Sequence, residues 1–287
     1  MPATRLVFLT SLAMLAFAGN SLLCRVALKE TAIDAASFTS IRLISAALTL
    51  WLIVRLNSKT SSGEGNWLSA LALFAYAAGF SFAYINLTAA TGALLLFGAV
   101  QSTMIGFGIW RGERLLNFQL LGLALAVAGL VGLTLPGLSA PPLVSSLLMI
   151  GAGIAWGVYS LRGRGTGDPT MVTAGNFLRT VPIALALSLV LATQISWDSA
   201  GLFYAIMSGS LTSGIGYAIW YKALPGLKAT QAATVQLSVP VIAAVGGIML
   251  LGEHLTLRLV LASVAIISGI ALVILEKKKP SGAQQPS

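Results

Sequence analysis

Charge is what this 287-residue sequence has least of. Only 9% of its residues are Asp, Glu, Lys or Arg, where a soluble domain carries about a quarter. Cysteine and histidine are nearly missing. Cys24 alone excludes an internal disulfide framework and a multi-thiolate metal site, and His254 alone excludes a histidine cluster within one chain. No glycine-rich loop ending in Lys-Ser or Lys-Thr is present to cradle ATP. Paired carboxylates, a nucleophile beside a base and a metal-ligand set are absent as well, so no catalytic or metal site and no cofactor is expected. The eight acidic residues (Glu30, Asp34, Glu64, Glu113, Asp168, Asp198, Glu253 and Glu276) all fall between apolar runs or at their ends. No carboxylate is placed at mid-membrane to act as a cation site or proton relay, which argues against a cationic-drug antiporter.

Apolar sequence fills the space. Residues of the hydrophobic types make up 57% of the chain and the mean hydropathy is +0.90. One core cannot bury that much apolar surface, so the solvent for the remainder is lipid. A helix crossing about 30 Å of hydrocarbon needs about 20 residues. Ten runs qualify: 6–23, 35–54, 67–87, 92–110, 118–135, 143–161, 172–192, 202–220, 232–251 and 257–275. Backbone groups inside lipid must pair within their own segment, which makes each run a helix. The expected fold is therefore an all-α integral membrane protein of ten transmembrane helices. The first run has the flanks of a signal peptide, but cleaving it would leave an odd number of spans. The polar, Pro-containing tail 277–287 reads as disordered.

The net charge of +9 does not indicate nucleic acid, because the basic residues stand singly between spans. They read as topology determinants. With the N-terminus inside, Arg5, Arg55, Lys59, Arg111, Arg114, Arg162, Arg164, Lys222, Lys228 and Lys277 to Lys279 lie on the inner side, and only Lys29 and Arg258 lie outside. Both termini are expected in the cytoplasm.

The sequence also matches itself. At an offset of 140, Gly106, Gly112, Glu113, Leu115 and Gly129 fall on Gly246, Gly252, Glu253, Leu255 and Gly269. At 137, Arg42 falls on Arg179 and Tyr84 on Tyr221. The Gly-Glu-x-Leu pair and the two intramembrane arginines carry the case. Residues 1–137 and 138–276 then form two five-helix repeats, which an odd helix number turns into inverted copies. Such a pair supplies two near-equivalent packings around a midplane site, the basis of alternating access.

Two halves that each end in a Gly-Glu-x-Leu turn before a glycine-bearing last helix, with Trp156-Gly157 in the sixth helix, resemble the drug/metabolite transporter superfamily. The resemblance is to its ten-helix EamA-type exporters, nearest to bacterial aromatic-amino-acid exporters. The first helix departs from the pattern, with Ala18-Gly19 where Trp-Gly is usual. The resemblance implies a multi-pass protein of the bacterial inner membrane, acting on small-molecule amino acids as a monomer in the lipid bilayer, without nucleic acid. A nucleotide-sugar or other metabolite carrier is the alternative, and a membrane-embedded lipid-processing enzyme a weaker one.

Candidate substrate-binding residues are the polar and aromatic groups inside spans, which turn away from lipid. Tyr76, Phe80 and Tyr84 recur at i, i+4, i+8; Trp156 and Tyr159 stand three apart. Ser210, Ser213, Tyr217 and Tyr221 share a face of the eighth helix. Asn20, Gln101 and Gln236 add uncharged donors and acceptors. Together they predict an aromatic-walled site for a solute with an apolar side chain. Arg42 and Arg179 read as structural, snorkelling to the interface or binding helix-end carbonyls, in preference to pairing with a substrate carboxylate. Trp51, Trp67, Trp110, Trp197 and Trp220 read as interfacial belts. Glu113 and Glu253 read as capping or ion-paired turn residues, and His254 as solvated. Gly153/Gly157 and Gly108/Gly112 are expected to permit close helix approach, and Pro182 and Pro240 to kink their helices.

Overall fold

The computed structural model describes residues 2–56, 64–112, 116–137, 140–163, 167–227, 232 and 235–275. Among these the chain is helical: α1 (Ala3–Glu30), α2 (Ala35–Leu56), α3 (Trp67–Tyr84), α4 (Ala89–Trp110), α5 (Asn117–Thr134), α6 (Leu143–Arg162), α7 (Pro169–Val190), α8 (Ser199–Gly226), α9 (Ser238–Leu251) and α10 (Leu257–Leu275). All but α9 are long and apolar enough to cross a bilayer. The expectations for Lys59, Glu113, Arg114, Leu115, Arg164, Lys228 and the tail 277–287 lie outside the described residues.

The scarce carboxylates cap helices. Asp34 Oδ1 accepts from the Ala36 and Ser37 amides at the start of α2, both at 2.9 Å. Asp168 accepts from Thr170 N at 2.8 Å ahead of α7, and Asp198 from Gly201 N at 2.8 Å in the first turn of α8. Each satisfies amides that the helix itself leaves without partners. Neutral side chains do the same elsewhere, Asn66 for α3 and Thr88 for α4.

Two helices depart from the sequence reading. The ninth run, 232–251, contains an interruption: a turn at Leu237 precedes α9, and Pro240 is its third residue. Proline has no N–H and clashes with the carbonyl four residues earlier. Starting the helix afresh at Ser238 removes both penalties, because first-turn amides have no intrahelical partner. Pro182, by contrast, sits inside α7, which runs unbroken through it. The second departure is in α8, where Ser208–Ile215 forms a π-helix between α-helical flanks. Gly209 lets this turn lie close against α2, since a Cβ there would collide with Ser45 and the Arg42 carbonyl.

Packing pairs the helices across the two halves of the chain. α5 lies against α10, α2 against α7, α3 and α4 against α6, and α1 against α8 and α9. The α5–α10 contact is close because Gly122 and Gly269 face one another; a Cβ on either would come within 2.5 Å of the other's carbonyl oxygen. Gly153 and Gly157 do let α6 approach α4, as a Cβ on Gly153 would lie 2.6 Å from Ala99. Gly112 is different: it has no neighbour within 4 Å of a built Cβ, and its φ of +91° places it in the left-handed region after α4. Gly252 repeats this after α9 with φ +61°. Both Gly-Glu pairs therefore carry the glycine because a helix ends there on a conformation that disfavours a side chain. Trp51, Trp67, Trp110 and Trp197 are exposed, but Trp220 is buried against Phe17, with ring centroids 5.9 Å apart. It belongs to the core and not to an interfacial belt.

Candidate substrate cavity

A small cavity of about 30 Å³ lies between α1, α3, α4, α6 and α8. α3 gives its depth. Tyr76 on its wall is ten residues from Asn66 and eight from Tyr84, about 15 and 12 Å along the helix. The cavity is thus near the middle of the span.

Aromatic rings form most of the wall. Trp156 of α6 packs on Tyr76 at 4.8 Å and edge-on against Tyr217 at 5.1 Å. Phe80 and Phe17 extend the wall from α3 and α1, and Phe17 meets Tyr217 at 5.7 Å. Leu96 and Phe97 of α4 supply the apolar side. The polar side is a chain of uncharged groups. The Asn20 amide donates to Tyr76 Oη at 3.3 Å, and Asn20 Oδ1 accepts from Ser208 at 2.7 Å and Thr212 at 3.2 Å. Gln236, just before the break at Leu237, also lines the cavity, and its side-chain amide donates to Ala232 O at 3.2 Å.

Of the residues singled out in the sequence, Asn20, Tyr76, Phe80, Trp156, Tyr217 and Gln236 meet at this wall. Ser213 stands behind it, 3.5 Å from Arg42 Nε. Tyr84 turns its hydroxyl to Ala89 O at 3.3 Å and its ring to Phe80 at 4.7 Å. Tyr159 stacks on Trp156 at 5.4 Å and accepts from Asn176 at 3.4 Å; Tyr221 contacts Tyr217 at 6.3 Å. Gln101 is buried in α4 away from the lining. Phe17, Ser208 and Thr212 were not singled out. The serine and threonine enter because the π turn changes which α8 residues face α1; Ser210, expected on that face, is only half buried.

Both ends of α3 are tied down. At the Tyr84 end, Arg25 donates to Tyr84 O at 3.0 Å and Ile85 O at 2.9 Å, and pairs with Glu253 at 3.3 Å. Glu253 also accepts from Ala89 N at 2.9 Å. One carboxylate thereby joins α1, the start of α4 and the turn after α9, the ion-paired cap expected for it. His254 beside it is exposed. At the other end, Asn176 Oδ1 accepts from Asn66 N at 2.8 Å, and Arg162 donates to Asn66 and Ser69, both at 3.2 Å. Arg179 bonds Gly175 O of its own helix at 3.0 Å, in keeping with a structural role.

Arg42 departs from the snorkelling expectation. It is 2% exposed and leaves α2 on the face packed against α3. There its Nη2 donates to Tyr76 Oη at 3.0 Å and its guanidinium lies 4.8 Å from the Phe80 ring centre. The hydroxyl and ring hold it inside the bundle.

Comparison with known proteins agrees with this architecture. The model of the EamA-like transporter family matches residues 143–275. An uncharacterized protein of Pseudomonas aeruginosa is 58% identical, the match covering 96% of each chain. The threonine/homoserine exporter RhtA of Salmonella typhimurium is 32% identical over 129 residues, 44% of this chain and 43% of that protein. A crystal structure at 16% identity covers 96% of this chain and 98% of its own with a TM-score of 0.65, a likeness of fold. The chain belongs to the EamA-like transporter family, a multi-pass membrane protein family within the drug/metabolite transporters.

Proposed function

We propose that the protein exports amino acids with aromatic, apolar or neutral side chains across the bacterial inner membrane by alternating access, and that it is not an enzyme. The observation that carries this reading is the mid-span cavity, walled by Phe17, Tyr76, Phe80, Trp156 and Tyr217 and edged by Asn20 and Thr212. Rings recognise an apolar side chain by edge and face contacts. The neutral hydrogen-bonding groups suit a polar head without favouring a cation. Among the described residues no carboxylate lines it, which supports a facilitator or exchanger over a proton-coupled pump.

At about 30 Å³ the cavity holds a water molecule or two and no amino acid. This is a closed packing, and loading requires one of the tied ends of α3 to open. The cross-half pairing of α2 with α7 and α5 with α10 supports two repeats, 1–137 and 138–276, rocking against each other. The partial match to threonine/homoserine exporters supports an amino-acid cargo.

The test is made in cells lacking their own aromatic-amino-acid exporters. Expression of the chain should lower the steady-state content of labelled phenylalanine and raise resistance to a toxic fluorinated phenylalanine. Unchanged content and unchanged resistance, with the protein verified in the membrane, overturn the proposal.

A further inference from the structure

We infer that Arg42 is the anchor for the carboxylate of the transported solute, so that the cavity selects anionic head groups and not merely apolar side chains. The inference rests on the cavity being the solute site, and its test separates the two.

Arg42 is the eighth residue of α2, about 10 Å from the helix start. Burying a guanidinium unpaired at that depth costs several kcal/mol or more. Arg25, the other buried arginine among the described residues, meets that cost with a carboxylate and two carbonyls. Arg42 has only hydroxyls and rings: Tyr76 Oη at 3.0 Å, Ser213 Oγ at a long 3.5 Å, and the faces of Phe80 and Tyr76 at 4.8 and 5.3 Å. Its Nη1 has no hydrogen-bond partner among the described residues, and no described carboxylate forms an ion pair with it. Arg258 also leaves Nη1 without a partner, but it stands at the start of α10 beside Gly137, far from this cavity.

The position supplies the second half of the case. Tyr76 and Phe80, which hold the guanidinium, are themselves cavity wall. The cation is therefore one hydroxyl away from the space where the solute would sit. Asn20, bonded to the same Tyr76 hydroxyl, continues the polar edge. A carboxylate entering there would reach, beside the Tyr76 hydroxyl, a cation that no described carboxylate neutralises and whose Nη1 has no described partner, the setting for a charge-assisted hydrogen bond. The rings opposite take the side chain. When the site is empty, Tyr76 and the two rings are what the guanidinium has in place of an anion.

The experiment uses the purified full chain in nanodiscs and reads ligand-induced shifts of the melting temperature across a titration, with L-phenylalanine, phenylacetate and L-phenylalaninamide as probes. In the wild type, phenylalanine and phenylacetate should bind about tenfold to a hundredfold more tightly than the amide, the range expected for hydrogen bonds to a charged group. Arg42→Gln should erase that preference by weakening the two carboxylates alone. Arg42→Lys, which keeps the charge but loses the planar fork, should weaken them less and leave the amide unchanged. Should the glutamine variant fail to fold, the lysine variant and the wild-type preference still decide. A wild type that does not distinguish acid from amide, or binds none of the probes, overturns the assignment. So does an Arg42→Lys or Arg42→Gln protein that keeps the full preference. Arg42-dependent binding of phenylacetate without binding of phenylalanine keeps the anchor and removes the amino-acid reading.

Discussion

Asn20 Oδ1 accepts the Ser208 hydroxyl at 2.7 Å, joining α1 to the π turn of α8 across 188 residues of sequence. Thr212 bonds the same oxygen and the Asn20 amide reaches Tyr76. All three helices of this polar edge thus converge on one side chain. Asn20→Ala leaves the buried Ser208 hydroxyl without its acceptor, while Thr212 keeps Ser208 O at 2.7 Å, a loss of about 1–3 kcal/mol. Thermal unfolding in detergent should show the loss, and transport should fall with it.

Trp156 touches Tyr76, Tyr159 and Tyr217 and forms the wall that an apolar side chain would meet. Trp156→Ala should reduce transport of phenylalanine about tenfold, since each aromatic pair contributes about 0.5–1.5 kcal/mol beyond its area. Membrane insertion should remain intact, measured by an elution profile on size-exclusion chromatography that matches the wild type. Transport at the wild-type rate would place the recognition of the side chain elsewhere.

The Arg25–Glu253 pair should behave as a unit. Glu253→Gln and Arg25→Gln each leave a mostly buried charge without its counterpart, and each should destabilise by about 1.5–3 kcal/mol. The double variant should cost less than the two together, because the second change removes the charge that the first left unpaired. Additive losses in a double-mutant cycle would show that the 3.3 Å contact contributes nothing to holding this end closed.

Asp34 introduces a pH dependence. Burial alone would raise its carboxyl, but the Ser37 side chain and the amides of Ser196, Ser37 and Ala36 outweigh that and hold it below its ordinary value of 3.8. A folded-state value below the unfolded one means stability that is present above pH 3.8 and fades as pH falls through the lower value. The difference in melting temperature between wild type and Asp34→Asn should therefore be constant near neutrality and shrink below pH 4. Loss of the cap in Asp34→Ala should cost about 1 kcal/mol at pH 7. A difference that grows on acidification contradicts this role.

Hydropathy made the apolar helices legible, nine of them long enough to span among the described residues, because lipid imposes helix and length on an apolar run. The i, i+4 spacing of Tyr76 and Phe80 likewise put both rings on one face. Three features were not legible, each for a physical reason. The π turn at Ser208–Ile215 lies against α2, where Gly209 leaves room for Ser45 and the Arg42 carbonyl, a tertiary contact with no local signature. It brought Ser208 and Thr212 to the polar edge in place of Ser210. The break before Ser238 needed the position of Pro240 relative to a turn, where sequence shows only a proline in an apolar run. The inward course of Arg42 was not legible because depth along a helix says nothing of which way a long side chain leaves it. Only the packing of α3 shows that it points inward.

The account centres on a carrier of neutral amino acids that works without a carboxylate at mid-membrane. Counterflow in proteoliposomes tests this most directly. Vesicles preloaded with unlabelled phenylalanine should accumulate labelled phenylalanine with no ion gradient imposed, and Trp156→Ala should abolish most of it. A cationic dye, offered with a pH gradient, should not be taken up. Gradient-driven dye movement in vesicles that show no amino-acid counterflow would contradict the account.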